Sequence, residues 1–345
     1  MPKATIEDIA KRAGVSKTSV SFAFNNPERL SEATLKHILR VAEELGYNPD
    51  PIASNLKTGR TGCIGLLMPQ PIPNVARNPH TLEFIEGIGE ICHDAGTSLM
   101  LVPPLKGSLR RAIVRAAVDG FITMGLEPFR RTIAVLQQRG VPFVTVDSDP
   151  THGLPCVNVD DEEGAYHAMR YVLEHGHRQV AILGIRSEHS GKYQDYTGLL
   201  RRRINGYVRA LSEFRLAIDD RRVRLIECSV EAHEGERAFR SLCRPGGWRP
   251  TAIVAMADIL LLGVLRAAHD LGLRVPGDVS VMGFDDIEFS ALSAPALTTI
   301  RQPTAEKGRV AARMLLDLIE GKPIPTEPIV LPVEFIERDS VASRQ

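Results

Sequence analysis

Apolar positions between residues 6 and 45 recur at three- and four-residue spacing in three short bursts, which predicts amphipathic helices. In the first burst Ile6, Ile9, Ala10 and Ala13 share one face, and Thr5 with Asp8 three places on forms an imperfect capping box at its start. Gly14 then breaks the pattern, free to take a positive φ. Ser16 can cap a second helix over 17–24, with Val15 and Val20 at the staple positions. A third helix starts at Ser31, is stapled by Leu30 and Leu35, and stops before Gly46. Two short helices joined by a glycine-bearing turn, with a third packed on them, predict a helix-turn-helix. A plain three-helix bundle would show the same caps. Against it, the second helix opens with Lys17, Thr18, Ser19 and Ser21, small polar groups that fit a nucleic-acid groove and reach phosphates. A further helix start follows, with Asp50 as N-cap and Pro51 as first residue, ending near Gly59. So short a helix needs a partner, either minor-groove DNA or a second copy of itself.

From residue 61 the pattern changes to apolar runs at 63–68, 98–102, 120–124, 143–146, 180–183, 224–228, 252–255 and 279–283. Amphipathic stretches such as 82–95, 163–175 and 260–271 lie between them. Alternating βα units predict an α/β body with a doubly wound parallel sheet and ligands at the carboxyl ends of the strands.

Composition changes this picture little. A chain of 345 residues is long enough for a small module plus a two-lobed body. Its formal net charge is zero, so any nucleic-acid contact must be a local property. Residues 1–60 hold nine Lys and Arg against seven Asp and Glu, a weak excess. The five cysteines are scattered without a CxxC pair, so neither a disulfide framework nor a metal site is expected, and a reducing cytoplasm fits. The start of the chain has no secretory h-region, and no run is long enough to span a membrane. Gly87-Ile88-Gly89 falls inside a helical pattern and is no dinucleotide fingerprint. Nucleophile elbow, P-loop and HExxH motifs are missing, so neither an enzyme nor a cofactor is expected.

The stretch ATIEDIAKRAGVSKTSVSFAFNNPERLSEATLKHILRVAEELGYNPDPIASNLKTGRTGCIGLLMP, residues 4–69, resembles the headpiece, linker and first core strand of the lactose-repressor (LacI/GalR) family. The likeness continues through AAVDGFITMG, GVPFVTVDSDP, GHRQVAILG, RINGYVRAL and VPGDVSVMGFDDIEFSALSAPALTTIRQP. It implies an all-α helix-turn-helix headpiece at 1–48 and a hinge helix with linker at 49–61. The rest, 62–345, would be a periplasmic-binding-protein-like core of two doubly wound parallel-sheet lobes. Lobe 1 is expected at 62–160 and 292–325, and lobe 2 at 161–291 and 326–345. By resemblance Lys17, Thr18 and Phe22 read bases, and Thr5, Ser16, Ser21 and Asn25 face phosphates. Leu56 would wedge into a minor-groove step while Ala53 packs on the partner hinge. Where relatives commonly carry Arg this chain has Phe22, which offers apolar contact, for instance to a thymine methyl, with a core position as the competing role for Phe22 and Phe24. Asp50 and Ser54 replace residues usually amide-bearing and basic, which implies a shallower salt dependence of DNA binding.

The same resemblance implies a homodimer on a pseudo-palindromic operator, controlled by a small-molecule effector between the lobes. Asp147, Arg203, Asp258 and Asp285 would be its contacts, with helix capping or lobe salt bridges as the competing role for each carboxylate. A sugar is one candidate. Sugar-binding relatives often stack a ring on the ligand, however, and 229–233 offers none, while Trp248 falls in the loop RPGGW. The inserted stretch 186–203 could supply Tyr193 and Tyr196 as a lid or be a plain surface loop; its basic run Arg201–Arg203 could bind an anion, with a solvated helix start as the competing role for Arg201 and Arg202. The rival reading, a solute-binding protein of a transport system, shares the lobed body but lacks a headpiece.

Overall fold

The computed structural model describes residues 4–47, 59–125, 130–149, 154–186, 193–244, 246–325 and 327–344. The hinge positions Asp50, Ala53, Ser54 and Leu56, and the Asn25 side chain, lie outside the described residues. Contacts divide the chain into one compact unit up to Thr61 and a second from Gly62.

The first unit holds α1 (Ile6–Ala13), α2 (Lys17–Asn25) and α3 (Glu32–Glu44). Thr5 and Asp8 make both halves of the capping box, so the aspartate does here what glutamate usually does. Gly14 takes φ 66°, a left-handed value that closes α1 at little steric cost. Ser16 and Ser31 cap the next two helices through the amides of Ser19 and Thr34. Ile9, Ala10, Ala13, Val20, Ala23, Ile38, Val41 and Ala42 form the core, sealed by Val15, Phe24, Leu30, Leu35, Leu45 and Tyr47.

The second unit alternates strands and helices, as the apolar runs predict. Lobe 1 opens with β1 (Cys63–Leu67), α4 (Ile72–Val75), α5 (Pro79–Asp94), β2 (Ser98–Val102) and α6 (Leu109–Arg115). It continues with β3 (Gly120–Met124), α7 (Arg130–Arg139), β4 (Phe143–Val146) and β5 (Cys156–Val159). Lobe 2 follows as α8 (Asp161–Glu174), β6 (Val180–Ile185), α9 (Gly198–Glu213), β7 (Val223–Cys228), α10 (Ala232–Leu242), β8 (Ala252–Ala255), α11 (Asp258–Asp270), β9 (Ser280–Met282) and α12 (Glu288–Leu292). β10 (Thr299–Arg301), α13 (Thr304–Glu320), β11 (Ile329–Leu331) and β12 (Glu334–Ile336) complete the chain. The lobe 1 sheet runs β11-β5-β4-β3-β1-β2 and the lobe 2 sheet β7-β6-β8-β9, every pairing parallel.

Two expected lobe boundaries need correction. The segment 292–301 stays with lobe 2: Thr298 accepts from the Gly283 amide beside β9, Ile300 accepts from Asp285, and β10 pairs with β12. The tail is divided as well, because β11 adds an edge strand to lobe 1 before β12 returns to β10. Strands of three residues are too short to show alternation, so their pairing partner decides where they belong.

Helix pairs flank the sheets at close range. On α5, a Cβ at Gly87 would lie 1.9 Å from the Ala305 carbonyl oxygen on α13, so only glycine permits this approach. Gly87-Ile88-Gly89 is therefore a helix-packing feature, inside α5.

Candidate functional site

In the headpiece, Val20 and Ala23 turn α2 inward, which leaves Lys17 and Thr18 exposed with Ser21 and Phe22 one turn on. Phe24 belongs to the core, 5.4 Å centre to centre from Tyr47, whereas Phe22 is half-buried with the Arg29 guanidinium 5.3 Å from its ring centre. Lys17 lies 2.9 Å from Glu7, both well exposed, an ion pair of little worth in water that a phosphate or base edge can displace. The Thr5 hydroxyl donates to Asp8 at 2.7 Å and accepts from its amide, so its proton is already committed within the cap. Ser16 Oγ likewise accepts from the Ser19 amide at 3.0 Å.

In the second unit, a cavity of about 280 Å³ opens between the two lobes. Asp147 comes to it from the end of β4, Arg203 from the first turns of α9, and Asp285 from the turn after β9. All three of these sequence-predicted residues line it, joined by Gln302, His80, Asn78, Gln70 and Arg186. Asp147 and Asp285 adopt φ of 57° and 125°, left-handed values that cost a non-glycine residue about 1–3 kcal/mol and concentrate at functional sites.

Side chains that the sequence reading did not single out hold these groups. Lys307, fully buried on α13, donates to both Asp147 oxygens at 3.1 and 2.9 Å and to Gln302 Oε1 at 2.9 Å. Gln302 Nε2 donates to Asp285 at 2.6 Å, which carries the chain of bonds from lobe 1 into lobe 2. Asp161, fully buried at the start of α8, accepts from Arg203 at 2.9 Å and from Arg202 at 2.7 Å. Arg203 also donates to the Met256 carbonyl, and its guanidinium stacks 3.7 Å from the Phe284 ring centre.

Burial pushes the Asp285 carboxyl up to about 8, against the pull of the Arg203 charge. Burial likewise holds the His80 imidazole well below its ordinary value, with the Lys307 and Arg203 charges adding to the effect. For Arg203, burial works against the charge, but Asp161 and Asp285 outweigh it and raise its pKa.

Three expectations fail here. Asp258 does not line the cavity: it is fully buried at the start of α11, and Ser290, Thr299 and the Asp286 amide occupy its oxygens. Its competing structural role therefore prevails. Tyr196 is core, not lid, with its hydroxyl on Glu227, and Tyr193 packs beside it. Arg202 is no solvated helix residue, since it pairs with Asp161 and also donates to the Ser148 carbonyl at 3.0 Å, linking α9 to lobe 1. Trp248 packs on the lobe 2 core under Arg224, away from the cavity.

A helix-turn-helix unit in one chain with a two-lobed, ligand-cleft body defines a ligand-responsive DNA-binding regulator. Residues 5–50 match the family described as bacterial regulatory proteins, lacI family, and residues 169–341 match a periplasmic binding protein-like domain. The chain is 34% identical over 348 residues to the HTH-type transcriptional repressor PurR of Pectobacterium carotovorum subsp. carotovorum (strain PC1), covering 98% of this chain and 97% of that protein. Among solved structures, the transcriptional regulator CelR–cellobiose complex aligns with a TM-score of 0.69 at 27% identity, over 98% of this chain and 99% of that one. A LacI family transcriptional regulator from Enterococcus faecium with bound ribose gives 0.70 at 26%, over 82% and 100% of the two chains. The lac repressor dimer bound to operator and the anti-inducer ONPF shares the fold, with a TM-score of 0.82 at 24% identity over 99% and 100%. The chain belongs to the lacI family, and it is a DNA-binding transcription regulator and not a transport protein.

Proposed function

We propose that this regulator represses transcription in the cytoplasm as a homodimer on a pseudo-palindromic operator, and that a small polar effector in the interlobe cavity sets its operator affinity. Lys17, Thr18 and Phe22 read base edges from the exposed face of α2. Ser16, Ser21, Thr5 and Asn25 lie on the phosphate side, Thr5 through its backbone because its hydroxyl proton is committed to Asp8. Leu56 and Ala53 act at the paired hinges by resemblance to the family. Asp147, Arg203 and Asp285 contact the effector.

The Lys307–Gln302–Asp285 chain of bonds carries this reading, because it crosses from lobe 1 to lobe 2 along the cavity wall. A ligand that bonds to Asp285 competes with the Gln302 bond of that chain, which makes ligand affinity and lobe geometry one coupled equilibrium. Relatives with bound cellobiose and ribose support an effector of sugar-like size. Removing residues 1–60 tests the division of labour. The truncated chain should lose operator-specific binding yet keep its dimer mass and an effector-dependent stabilisation of about 2.7 kcal/mol at a hundredfold excess over Kd, read as a rise in melting temperature. Retained specific DNA binding would end the proposal.

A further inference from the structure

We propose that the effector carries an anionic oxyacid group, a carboxylate or a phosphate monoester, on a body of about monosaccharide size, seated on Arg203 and His80. This rests on the reading of the cavity as the effector site.

The charge balance of the wall points this way. Both carboxylates that line the cavity among the described residues are already held, Asp147 by Lys307 and Asp285 by Gln302; behind the wall Asp161 is held by Arg202 and Arg203 together, and Glu234 by Arg186 and Arg237. Among the buried and part-buried groups Lys307, Arg202 and Arg203 stand against Asp147, Asp161 and Asp285. Arg186 and Arg237 are half-exposed or more, so solvent screens them, as it does Glu231 at the rim beside Asn74. The pairing is uneven rather than in excess: two guanidinium groups share the single carboxylate of Asp161, so Arg203 keeps donor capacity beyond its own partner. A cationic effector would have to displace Lys307 or Gln302, whereas an anion completes what is present.

The free donors agree. His80 Nε2 is buried at the cavity without a partner among the described residues, and nothing described engages Arg203 Nη2. The first turns of α5 and α9 line the cavity, as do Ala257 before α11 and Gln302 just ahead of α13. The starts behind Thr197, Ala257 and Pro303 have no bond from the capping side chain, but Asp258 already stands in the first turn of α11 and Glu83 accepts from the Ala305 amide of α13, so it is the start of α9 whose amide dipoles favour added negative charge. Finally, the described lining residues include no Phe, Tyr or Trp. Among the described lining residues a pyranose or planar base meets no Phe, Tyr or Trp ring, which places the weight of affinity and orientation on the polar end of the ligand.

Thermal shift and calorimetry on the full chain with matched pairs test the assignment: D-glucose against D-gluconate and D-glucuronate, and D-ribose against ribose 5-phosphate. At least one acid should raise the melting temperature saturably at millimolar concentration while its neutral twin does not, and the carboxylate and phosphate arms identify which oxyacid is preferred. Arg203→Lys should then weaken that acid about tenfold by removing the planar fork. His80→Leu should weaken it about fivefold without loss of fold, because no described protein group bonds to Nε2. A neutral member binding as tightly as its acid, or no shift from any acid in the panel, overturns the proposal. Operator binding by the same preparation reports separately: retained there, the failure is of the ligand class alone; lost there as well, the regulator mechanism fails with it.

Discussion

Lys307→Met should destabilise the second unit by about 3 kcal/mol, near the low end of the range for breaking a buried ion pair. The lysine is fully buried, and all three of its protons are used, two on Asp147 and one on Gln302. Methionine fills the volume of the stem but leaves Asp147, 7% exposed, without a counter-cation. The low end applies because Asp147 borders a cavity that can admit water. For a unit running from Gly62 to Gln345, such a loss lowers the melting temperature by roughly 6 °C. Adding Asp147→Asn removes the orphaned charge, and asparagine tolerates the left-handed backbone at that position, so the double variant should recover to within about 1 kcal/mol of the parent. Calorimetry and far-ultraviolet dichroism in urea measure all three proteins. A single variant within about 0.5 kcal/mol of the parent, or a double variant no better than the single, refutes the ion pair as the organising contact of this wall.

Asp285 predicts a pH effect. Its folded-state pKa is raised to about 8, so the folded protein binds a proton that the unfolded chain has released, and stability falls as pH rises from about 4 to 8, by up to about 1.4 kcal/mol per unit. Asp285→Asn should lack this component, and stability curves for parent and variant that stay parallel over that window would rule it out; burial raises Asp258 too, which is why the difference is the informative quantity. Gly263→Ala on α11 should cost about 2–3 kcal/mol by denaturation, because its Cβ would sit 1.7 Å from the Ala232 carbonyl oxygen on α10. Phe22→Arg should shift base preference toward guanine at one position of each half-site, read by binding-site selection, and unchanged selectivity would remove Phe22 from the reading face.

Much of the fold was legible because local rules and the tertiary result agree. The caps at Thr5, Ser16 and Ser31 and the turn at Gly14 act within a few residues of themselves, and each of them forms. Long apolar runs bounded by helices had one reading as buried parallel strands. Cys156–Val159 escaped notice because polar Asn158 interrupts a run of only four residues, although Asn158 is buried and donates to the Ser148 carbonyl. Asp285 and Arg203 were recognisable through family motifs, but whether a carboxylate faces the cavity or the protein is a matter of its neighbours. Asp258 faces Ser290 and Thr299, 32 and 41 positions away, and no spacing within its own helix could say so.

Lys307 shows the same separation at its largest, and it explains why the cleft can act as a switch. In sequence it is a lysine in the first turn of an amphipathic helix, where solvent is the ordinary environment; it is buried only because Asp147, 160 positions earlier, meets it there. Asp147, Asp285 and Asp286 all hold left-handed backbones that their residue type does not favour, and each carboxylate is clamped from another element: by Lys307, by Gln302, and by Arg301 with Arg338. The clamps, not chain propensity, fix these conformations. A ligand that takes over one clamp frees the next residue along the Lys307–Gln302–Asp285 chain, and the backbone strain then favours a rearrangement at the strand ends that face the cavity between the lobes. Ligand chemistry and lobe geometry are coupled through those few bonds, so a variant that cuts the chain at Gln302 should bind its effector with little transmitted change in operator affinity.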